Sequence, residues 1–322
     1  MEPLIHEASM EMEWNESYYF VFYDKKTELG GMTRLGFKPN RQEGTGFFIL
    51  FLPNGSAALF QSAEETTNKE RKDIRVGSLA HQRLSDGNWN YIFKGSMIAG
   101  KNPEDLPRAS QQPELAEKVS NVKMEFSFSP INEVYEYSEN MTAESRELGR
   151  KSGDAHWEQI GKIEGTIKLD NDTFHIHDTI GQRDHTHGVR DWTGIGDWLY
   201  YVVWFSEELC INPAAIVAED GRISSGGFIF QNGKNIPIKK IRIINQEFRK
   251  NILPVSSRIE VTDALDIRHV LEGKARQIVP IPFTDDQGRL SILAQAFGDF
   301  KLDGQSGGYG SYETLRRTKP AG

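Results

Sequence analysis

The densest group of chemically active residues lies between positions 181 and 192, where the sequence reads Gly-Gln-Arg-Asp-His-Thr-His-Gly-Val-Arg-Asp-Trp. The segment contains two Arg-Asp pairs, two histidines and a tryptophan. Because successive side chains of a β-strand point to opposite faces, an extended conformation predicts Arg183, His185 and His187 on one face. Asp184 and Thr186 then lie on the other face.

Two kinds of role fit this segment. An Arg can fix a carboxylate through two parallel hydrogen bonds. A carboxylate beside a His orients the ring and keeps it basic, which suits acid–base catalysis near pH 7. The alternative is structural, because the same Arg and Asp side chains could form a buried network that holds two barrels together.

Histidines are concentrated in the same region, since four of the eight (His175, His177, His185 and His187) lie within thirteen residues. Two His-x-His pairs on adjacent strands could bind zinc or iron, because side chains at positions i and i+2 share a face. Alternatively, His175 and His177 lie on an exposed strand face beside a turn. No carboxylate ligand is evident from the sequence, so we expect no metal.

Aromatic residues follow the segment closely, and alternate members would line one face of a strand: Trp192, Trp198, Tyr200, Tyr201, Trp204 and Phe205. A β-barrel with an aromatic interior can hold an apolar ligand. Aromatic ring faces also attract a developing carbocation. Packing in the hydrophobic core is the alternative role for part of this group.

Short alternating segments must position these residues. Roughly twenty such segments are separated by turn signals, as in antiparallel sandwiches and barrels. The turn Pro53-Asn54-Gly55 between two apolar runs is the clearest hairpin signal. No long segment has the 3.6-residue period of a helix, so an all-β protein is predicted. The polar stretch Glu139–Gly153 is read as an excursion over a barrel mouth or sheet edge.

Composition excludes several classes of function. The 38 basic and 46 acidic residues give a net charge of −8, which argues against nucleic-acid binding. The single cysteine, Cys210, cannot form an internal disulfide or a thiolate metal site. Apolar runs are too short to span a bilayer, and no signal peptide is evident. We therefore expect a cytoplasmic protein with no integral membrane segment, for which a homodimer is one possible state.

Five segments occur in an order that resembles a known family: Trp14–Phe20, Thr33–Asn40, His156–Gln159, the Arg-Asp-His segment and Gly308–Glu313. The chain resembles the lipocalin-like proteins related to carotenoid 1,2-hydratase (hydroxyneurosporene synthase), whose relatives include Diels–Alderases and terpenoid cyclases. The resemblance implies two lipocalin-like antiparallel β-barrels or half-barrels packed together, with domains at 1–170 and 171–322. It also implies a hydrophobic small-molecule substrate and no metal or organic cofactor.

The family motif matches at Arg183, Asp184, His185, Gly188, Arg190 and Asp191, whereas Thr186 and His187 stand in place of the usual Ser-Trp. His187 therefore puts a titratable group where a large aromatic is usual. The predicted catalytic residues are Asp184, His185, His187 and Asp191. The predicted substrate-binding residues are Arg34, Glu158, Arg183, Arg190, Trp192, Tyr201 and Trp204.

The leading hypothesis is a cofactor-independent lyase or isomerase of a hydrophobic, isoprenoid-like substrate. Proton-initiated hydration, dehydration or cyclisation would use Asp184 or Asp191 as general acid, with a pKa raised by burial. His185 or His187 would be its partner or the base. A pericyclic, Diels–Alder-type cyclase and a non-catalytic binder of lipids or pigments are the alternatives.

Overall fold

Antiparallel strands make up most of the chain in this computed structural model, which describes residues 2–65 and 74–318. The predicted all-β class is therefore confirmed. Contacts divide the chain into two compact units. The first contains the described residues up to Val134 together with Gly153–Arg190, and the second contains Tyr135–Ser152 together with the described residues from Asp191 onward.

The strands are numbered in chain order. Strands β1–β11 are Trp14–Asp24, Leu29–Lys38, Glu43–Phe51, Ala57–Glu65, Ile74–Val76, Leu79–Arg83, Trp89–Gly100, Lys118–Pro130, Tyr135–Glu136, Ala155–Leu169 and Asp172–Val189. Strands β12–β19 are Asp197–Ser206, Leu209–Val217, Ile223–Gln231, Lys234–Arg249, Leu253–Asp263, Arg268–Thr284, Leu290–Leu302 and Gln305–Arg317. The short helices α1–α3 are Leu106–Ala109, Tyr137–Asn140 and Ala143–Gly149, and 3-10 turns cover Pro39–Arg41, Pro103–Asp105, Pro113–Leu115 and Arg150–Ser152.

In the first unit, neighbouring strands follow the order β4-β3-β2-β1-β11-β10-β8-β7-β6-β5. Strand β4 also pairs with β7, through Ala57–Leu59 and Ile98–Gly100. This pairing joins β4 to β7, so that β1, β2, β3, β4, β7, β8, β10 and β11 form a closed ring. The predicted hairpin joins β3 to β4, and Gly55 takes the left-handed φ of 85° that its turn requires.

The interior of this ring is apolar and strongly aromatic. Strand β1 contributes Tyr18, Phe20 and Phe22 to it, because every second residue of the strand points inward. Strand β7 contributes Trp89, Tyr91 and Phe93 in the same way. The Phe20 and Tyr91 rings stack with centroids 3.7 Å apart. We call the side of each strand that faces this interior its inner face, and the opposite side its outer face.

The second unit is a closed barrel in which β12 to β19 follow one another in sequence order. Tyr201, Phe300 and Tyr312 pack together inside it. The excursion predicted at Glu139–Gly153 contains α3, which lies against β14, and the Ser224 hydroxyl donates a hydrogen bond to the Ser145 carbonyl (2.7 Å).

The contact-based units differ from the division predicted at 170/171. That position falls in the turn between β10 and β11, two strands that pair along almost their whole length. Strand β11 also pairs with β1. Its hydrogen bonds therefore tie it to the first unit, and the change of unit lies between Arg190 and Asp191.

Candidate functional site

Strand β11 carries the Arg-Asp-His segment and lies between β1 and β10 in the first unit. Residues opposite each other on paired strands share a face of the sheet. Arg183 and His185 are opposite Phe20 and Tyr18, so they point inward. Asp184 is opposite Tyr19 and points outward. The predicted alternation of the two sets of side chains is confirmed.

A row of four polar residues crosses the outer face in register. Arg34 of β2 is opposite Tyr19 of β1, Tyr19 is opposite Asp184 of β11, and Asp184 is opposite Glu158 of β10. The row thus joins three predicted site residues, Arg34, Asp184 and Glu158, that lie far apart in sequence. Tyr19, Arg34 and Glu158 are buried, and Asp184 is partly buried.

Hydrogen bonds connect Glu158 to the side chains on either side of this row. The Gln182 amide donates to one Glu158 oxygen (2.6 Å), and His156 Nε2 lies 2.7 Å from the other. His156 Nδ1 lies 2.8 Å from the Thr186 hydroxyl. We call His156, Glu158, Gln182, Asp184 and Thr186 the Asp184 cluster. Its hydrogen bonds hold the His156 ring and satisfy both oxygens of Glu158.

The Asp184 carboxyl differs from Glu158 because it makes no hydrogen bond or ion pair with the side chains that the structure describes. Burial raises the pKa of Asp184 from 3.8 to about 6. A proton on His156 would oppose this rise, the charges of Arg190 and Arg34 oppose it, and the negative charge of Glu158 adds to it. A carboxyl group with a pKa near 6 can hold a proton and release it close to neutral pH.

A glycine creates the space for the Arg34 guanidinium. A Cβ atom at Gly36 would lie 2.5 Å from Arg34 NH1, so the guanidinium lies directly over this residue. From there it reaches the Asn15 side-chain oxygen at 3.5 Å. The glycine and the asparagine thus position a buried cation at the end of the row that contains Asp184.

The inner face carries a second polar group, formed by His6, Glu16 and His185. His6 Nδ1 and His185 Nε2 lie 2.8 and 3.0 Å from the same Glu16 oxygen. Burial lowers the pKa of His6 to about 4 and lowers that of His185 well below 6.5. Both rings are therefore neutral at pH 7, and each can donate one N–H to the carboxylate. The His187 ring stacks on His6 with centroids 4.0 Å apart.

Arg183 also lies on the inner face. Its Nε and NH2 groups donate to the Gln159 side-chain oxygen (3.0 and 2.7 Å), and NH1 donates to Glu2 Oε1 (2.8 Å). The guanidinium carbon lies 4.8 Å from the centre of the Trp89 ring. Strand alternation separates Arg183, His185 and His187 from Asp184, so the structure does not bring the predicted acid and its predicted histidine partners together. His156 is the histidine beside Asp184.

Arg190 is the last residue of the first unit, where it is partly buried and its backbone N–H donates to the Glu13 carbonyl (3.2 Å). The other predicted residues, Asp191, Trp192, Tyr201 and Trp204, belong to the second unit. Although burial raises the pKa of Asp191, hydrogen bonds from Gly194 and Thr193 and the charge of Lys151 lower it overall. Asp191 is thus an ionised carboxylate that caps a turn, which does not suit the predicted general acid. The Trp192 ring stacks on Phe283 with centroids 4.3 Å apart.

Tyr201 and Trp204 are fully buried. Tyr201 lies in the barrel interior and Trp204 packs against Tyr309. Their surroundings are those of side chains packed in a hydrophobic core, which was the alternative role considered for these aromatics.

Among the residues that the structure describes, two sets of three bring potential metal ligands within 4.8 Å of one another: His6, Glu16 and His185, and His156, Glu158 and Asp184. Glu16 and Glu158 are carboxylates that the sequence did not indicate as partners of these histidines. The other pair, His175 and His177, is in neither set, and His177 instead contacts Glu164 at 2.6 Å.

Sequence reasoning did not identify Glu2, His6 or Tyr19 as site residues, and it gave His156 no role. The His-x-Glu spacing of His156 and Glu158 places both on one strand face, so this pair had a local signal. Glu2 had none, because its partner Arg183 is 181 positions away on β11. His6 had none either, because it lies outside any strand and contacts Glu16 ten positions further on.

Comparisons with solved structures show the same fold. The structure is similar to an AttH-type protein from Nitrosomonas europaea (TM-score 0.61, 13% identity, covering 96% of this chain and 94% of that one). It is also similar to kievitone hydratase from Nectria haematococca (TM-score 0.57, 8% identity, covering 94% and 89%). CghA gives a TM-score of 0.54 at 8% identity, covering 95% and 88%.

No protein of curated function matches the sequence. Within the described ranges, the helices are all too short or too polar to cross a membrane. The sequence matches the family described as a domain of unknown function, DUF7064, over residues 3–318, and the chain therefore belongs to that family.

Proposed function

We propose that this chain is a lyase or isomerase that acts on a hydrophobic substrate by proton transfer, with Asp184 as the proton donor. The observation that carries the proposal is the Asp184 carboxyl, which has a pKa near 6 and lies beside a hydrogen-bonded His156–Glu158 pair. A proton donor and a proton acceptor are thus adjacent on one face of the sheet. This pairing is the minimum that proton-initiated catalysis needs.

The proposed reaction balances without an added oxidant or reductant. In hydration, Asp184 gives its proton to one carbon of a double bond, and the other carbon becomes cationic. Water adds to the cationic carbon and loses a proton, which the His156–Glu158 pair accepts and returns to Asp184. Dehydration is the reverse sequence, and in cyclisation a second double bond of the substrate takes the place of water.

The outer face also supports an apolar substrate. In the next row across the same strands, Met32 is opposite Val21, and Val21 and Ile160 are each opposite Gln182. These three apolar residues are buried. The surroundings of the Asp184 row on this face are therefore apolar. Similarity of fold to a protein named as a hydratase agrees with this choice, and the isoprenoid-like substrate class rests on the family resemblance.

The test is incubation of the purified protein with isoprenoid alcohols and polyenes in D₂O. We expect deuterium at a product carbon, and a rate that falls as pH rises through about 6 because Asp184 loses its proton. Asp184→Asn should reduce turnover by about 10²-fold or more. Asp191→Asn is the matched control and should retain turnover, since Asp191 is an ionised turn residue.

Other outcomes would replace the proposal with its alternatives. Product without solvent deuterium would indicate a pericyclic closure, whereas a retained apolar molecule in native mass spectrometry without turnover would indicate a binding protein. Loss of activity on treatment with a chelator, restored by one metal, would assign the His156–Glu158–Asp184 set to metal binding instead. Full turnover in Asp184→Asn would remove Asp184 from the mechanism.

A further inference from the structure

A buried cation lies inside the first unit, on the opposite face of β11 from Asp184. The Arg183 side chain is 3% exposed and points into an interior lined by Phe20, Trp89 and Tyr91. A buried charge is costly unless it is paired and hydrogen-bonded. Gln159 fixes one edge of the guanidinium, and the compensating negative charge comes from Glu2.

Glu2 pairs with only part of the hydrogen-bonding groups in this interior. Its Oε1 accepts from Arg183, but its buried Oε2 has no hydrogen-bond partner within the described part of the chain. The same holds for Trp89 Nε1, Tyr91 OH and His185 Nδ1, which belong to side chains no more than 2% exposed. Buried polar atoms are normally hydrogen-bonded. This aromatic interior therefore has more hydrogen-bonding capacity than Glu2 uses.

The segment that brings Glu2 to Arg183 is attached mainly by side chains. Residues 2–10, which we call the N-terminal strap, contain no helix or strand. The Tyr18 hydroxyl donates to the Leu4 carbonyl, and the His6 ring and backbone N–H both contact Glu16. Arg83 NH1 also donates to the Glu2 carbonyl (2.7 Å). Because the strap makes no ladder hydrogen bonds to a neighbouring strand in the described part of the chain, its detachment would leave the strand pairing intact.

From these observations we propose that the interior of the first unit is a binding site for a small organic carboxylate, in which Glu2 is an internal occupant. The ligand's carboxylate would replace Glu2 on Arg183, whose planar guanidinium matches a carboxylate with two parallel hydrogen bonds. Its apolar or aromatic body would lie among Phe20, Trp89 and Tyr91. This site is independent of the proposed function at Asp184, because it uses the other face of β11.

Isothermal titration calorimetry with benzoate and hexanoate tests the proposal, with benzamide and hexanamide as uncharged counterparts. Wild-type protein should bind the carboxylates in preference to the amides. Glu2→Gln removes the competing carboxylate and should tighten carboxylate binding by about tenfold, as expected if the strap is closed in about nine molecules of ten. Glu7→Gln is the matched control, because Glu7 is an exposed carboxylate of the same strap, and it should bind as wild type does.

Arg183→Gln should abolish the preference for carboxylate over amide. If that variant does not fold, hydrogen exchange on wild-type protein provides an independent measurement. Saturating benzoate should speed the exchange of the His6 amide, since displacement of Glu2 releases the strap. Equal affinities in wild type and Glu2→Gln, equal binding of carboxylate and amide, or unchanged exchange at His6 would each overturn the proposal.

Discussion

Replacing Asp184 by Asn should stabilise the protein at pH 8 while removing its proposed activity. Folding raises the pKa of this carboxyl from 3.8 to about 6, chiefly because it is buried. The folded state therefore binds the Asp184 proton more tightly than the unfolded state does. Stability from this group is fully present below pH 4 and is lost as pH rises through 6. An amide never ionises, so Asp184→Asn avoids that loss.

The magnitude follows from the size of the pKa change. Each pKa unit corresponds to about 1.4 kcal/mol, so a rise from 3.8 to about 6 is worth up to about 3 kcal/mol above pH 7. Because Asp184 is only partly buried, solvent reduces this value, and we expect about 1–3 kcal/mol. At pH 4 the carboxyl is protonated in the folded state and only about half ionised in the unfolded state, so the variant and wild type should differ much less than at pH 8.

Urea unfolding followed by tryptophan fluorescence measures the free energy of unfolding of the variant and of wild type at pH 4 and at pH 8. The pH-dependent part, taken as the difference between the two conditions, isolates ionisation from any change in packing. Asp191→Asn is the control of opposite sign, since folding lowers the pKa of Asp191, and its loss should destabilise the protein at pH 8. The reasoning would be refuted if Asp184→Asn were less stable than wild type at pH 8 by as much as at pH 4.

Three other predictions concern single residues, two in the first unit and one in the second. Burial lowers the pKa of His81 to about 3, and its Nε2 lies 2.8 Å from the Thr33 hydroxyl. Between pH 6.5 and 3, the unfolded state therefore binds a proton at this ring and the folded state does not. His81→Gln should therefore lose less stability than wild type over this range in an acid titration, and parallel curves would contradict this. Gly36→Ala should displace the Arg34 guanidinium and reduce turnover several-fold, while the free energy of unfolding changes by less than about 1 kcal/mol. Trp204→Ala should lower the free energy of unfolding by about 3–5 kcal/mol in the same assay, because the ring is fully buried.

The strand period was sufficient to predict which residues of the 181–192 segment share a face. Alternation follows from backbone geometry alone, so Arg183 and Asp184 could be assigned to opposite faces without any partner being known. The all-β class was predictable for the same reason, since short alternating segments and turn signals are local features. The hairpin at Asn54-Gly55 is the clearest example, because the turn itself fixes the pairing of its two strands.

Contacts between distant segments were not predictable from period or composition. The row that joins Arg34 and Tyr19 to Asp184 depends on the register of β2, β1 and β11, which no local pattern specifies. The pairing of Glu2 with Arg183 spans 181 positions. No local pattern specified that β11 would take both of its partners, β1 and β10, from the first unit.

The distribution of hydrogen bonds within the Asp184 cluster assigns different roles to its two carboxyl groups. Two like charges so close together favour the ionisation of only one. Hydrogen bonds from Gln182 and His156 stabilise a charged Glu158. Burial opposes the ionisation of Asp184, and no side chain within the described ranges donates a hydrogen bond that would favour it. The proton therefore resides on Asp184, the carboxyl that the outer face leaves partly accessible.

Substituting Gln182 by Leu should remove part of the stabilisation of the Glu158 charge. The two carboxyl groups should then differ less in how readily each one ionises. The pH at which turnover falls should then decrease, and an unchanged pH profile would show that Glu158 does not set the protonation of Asp184.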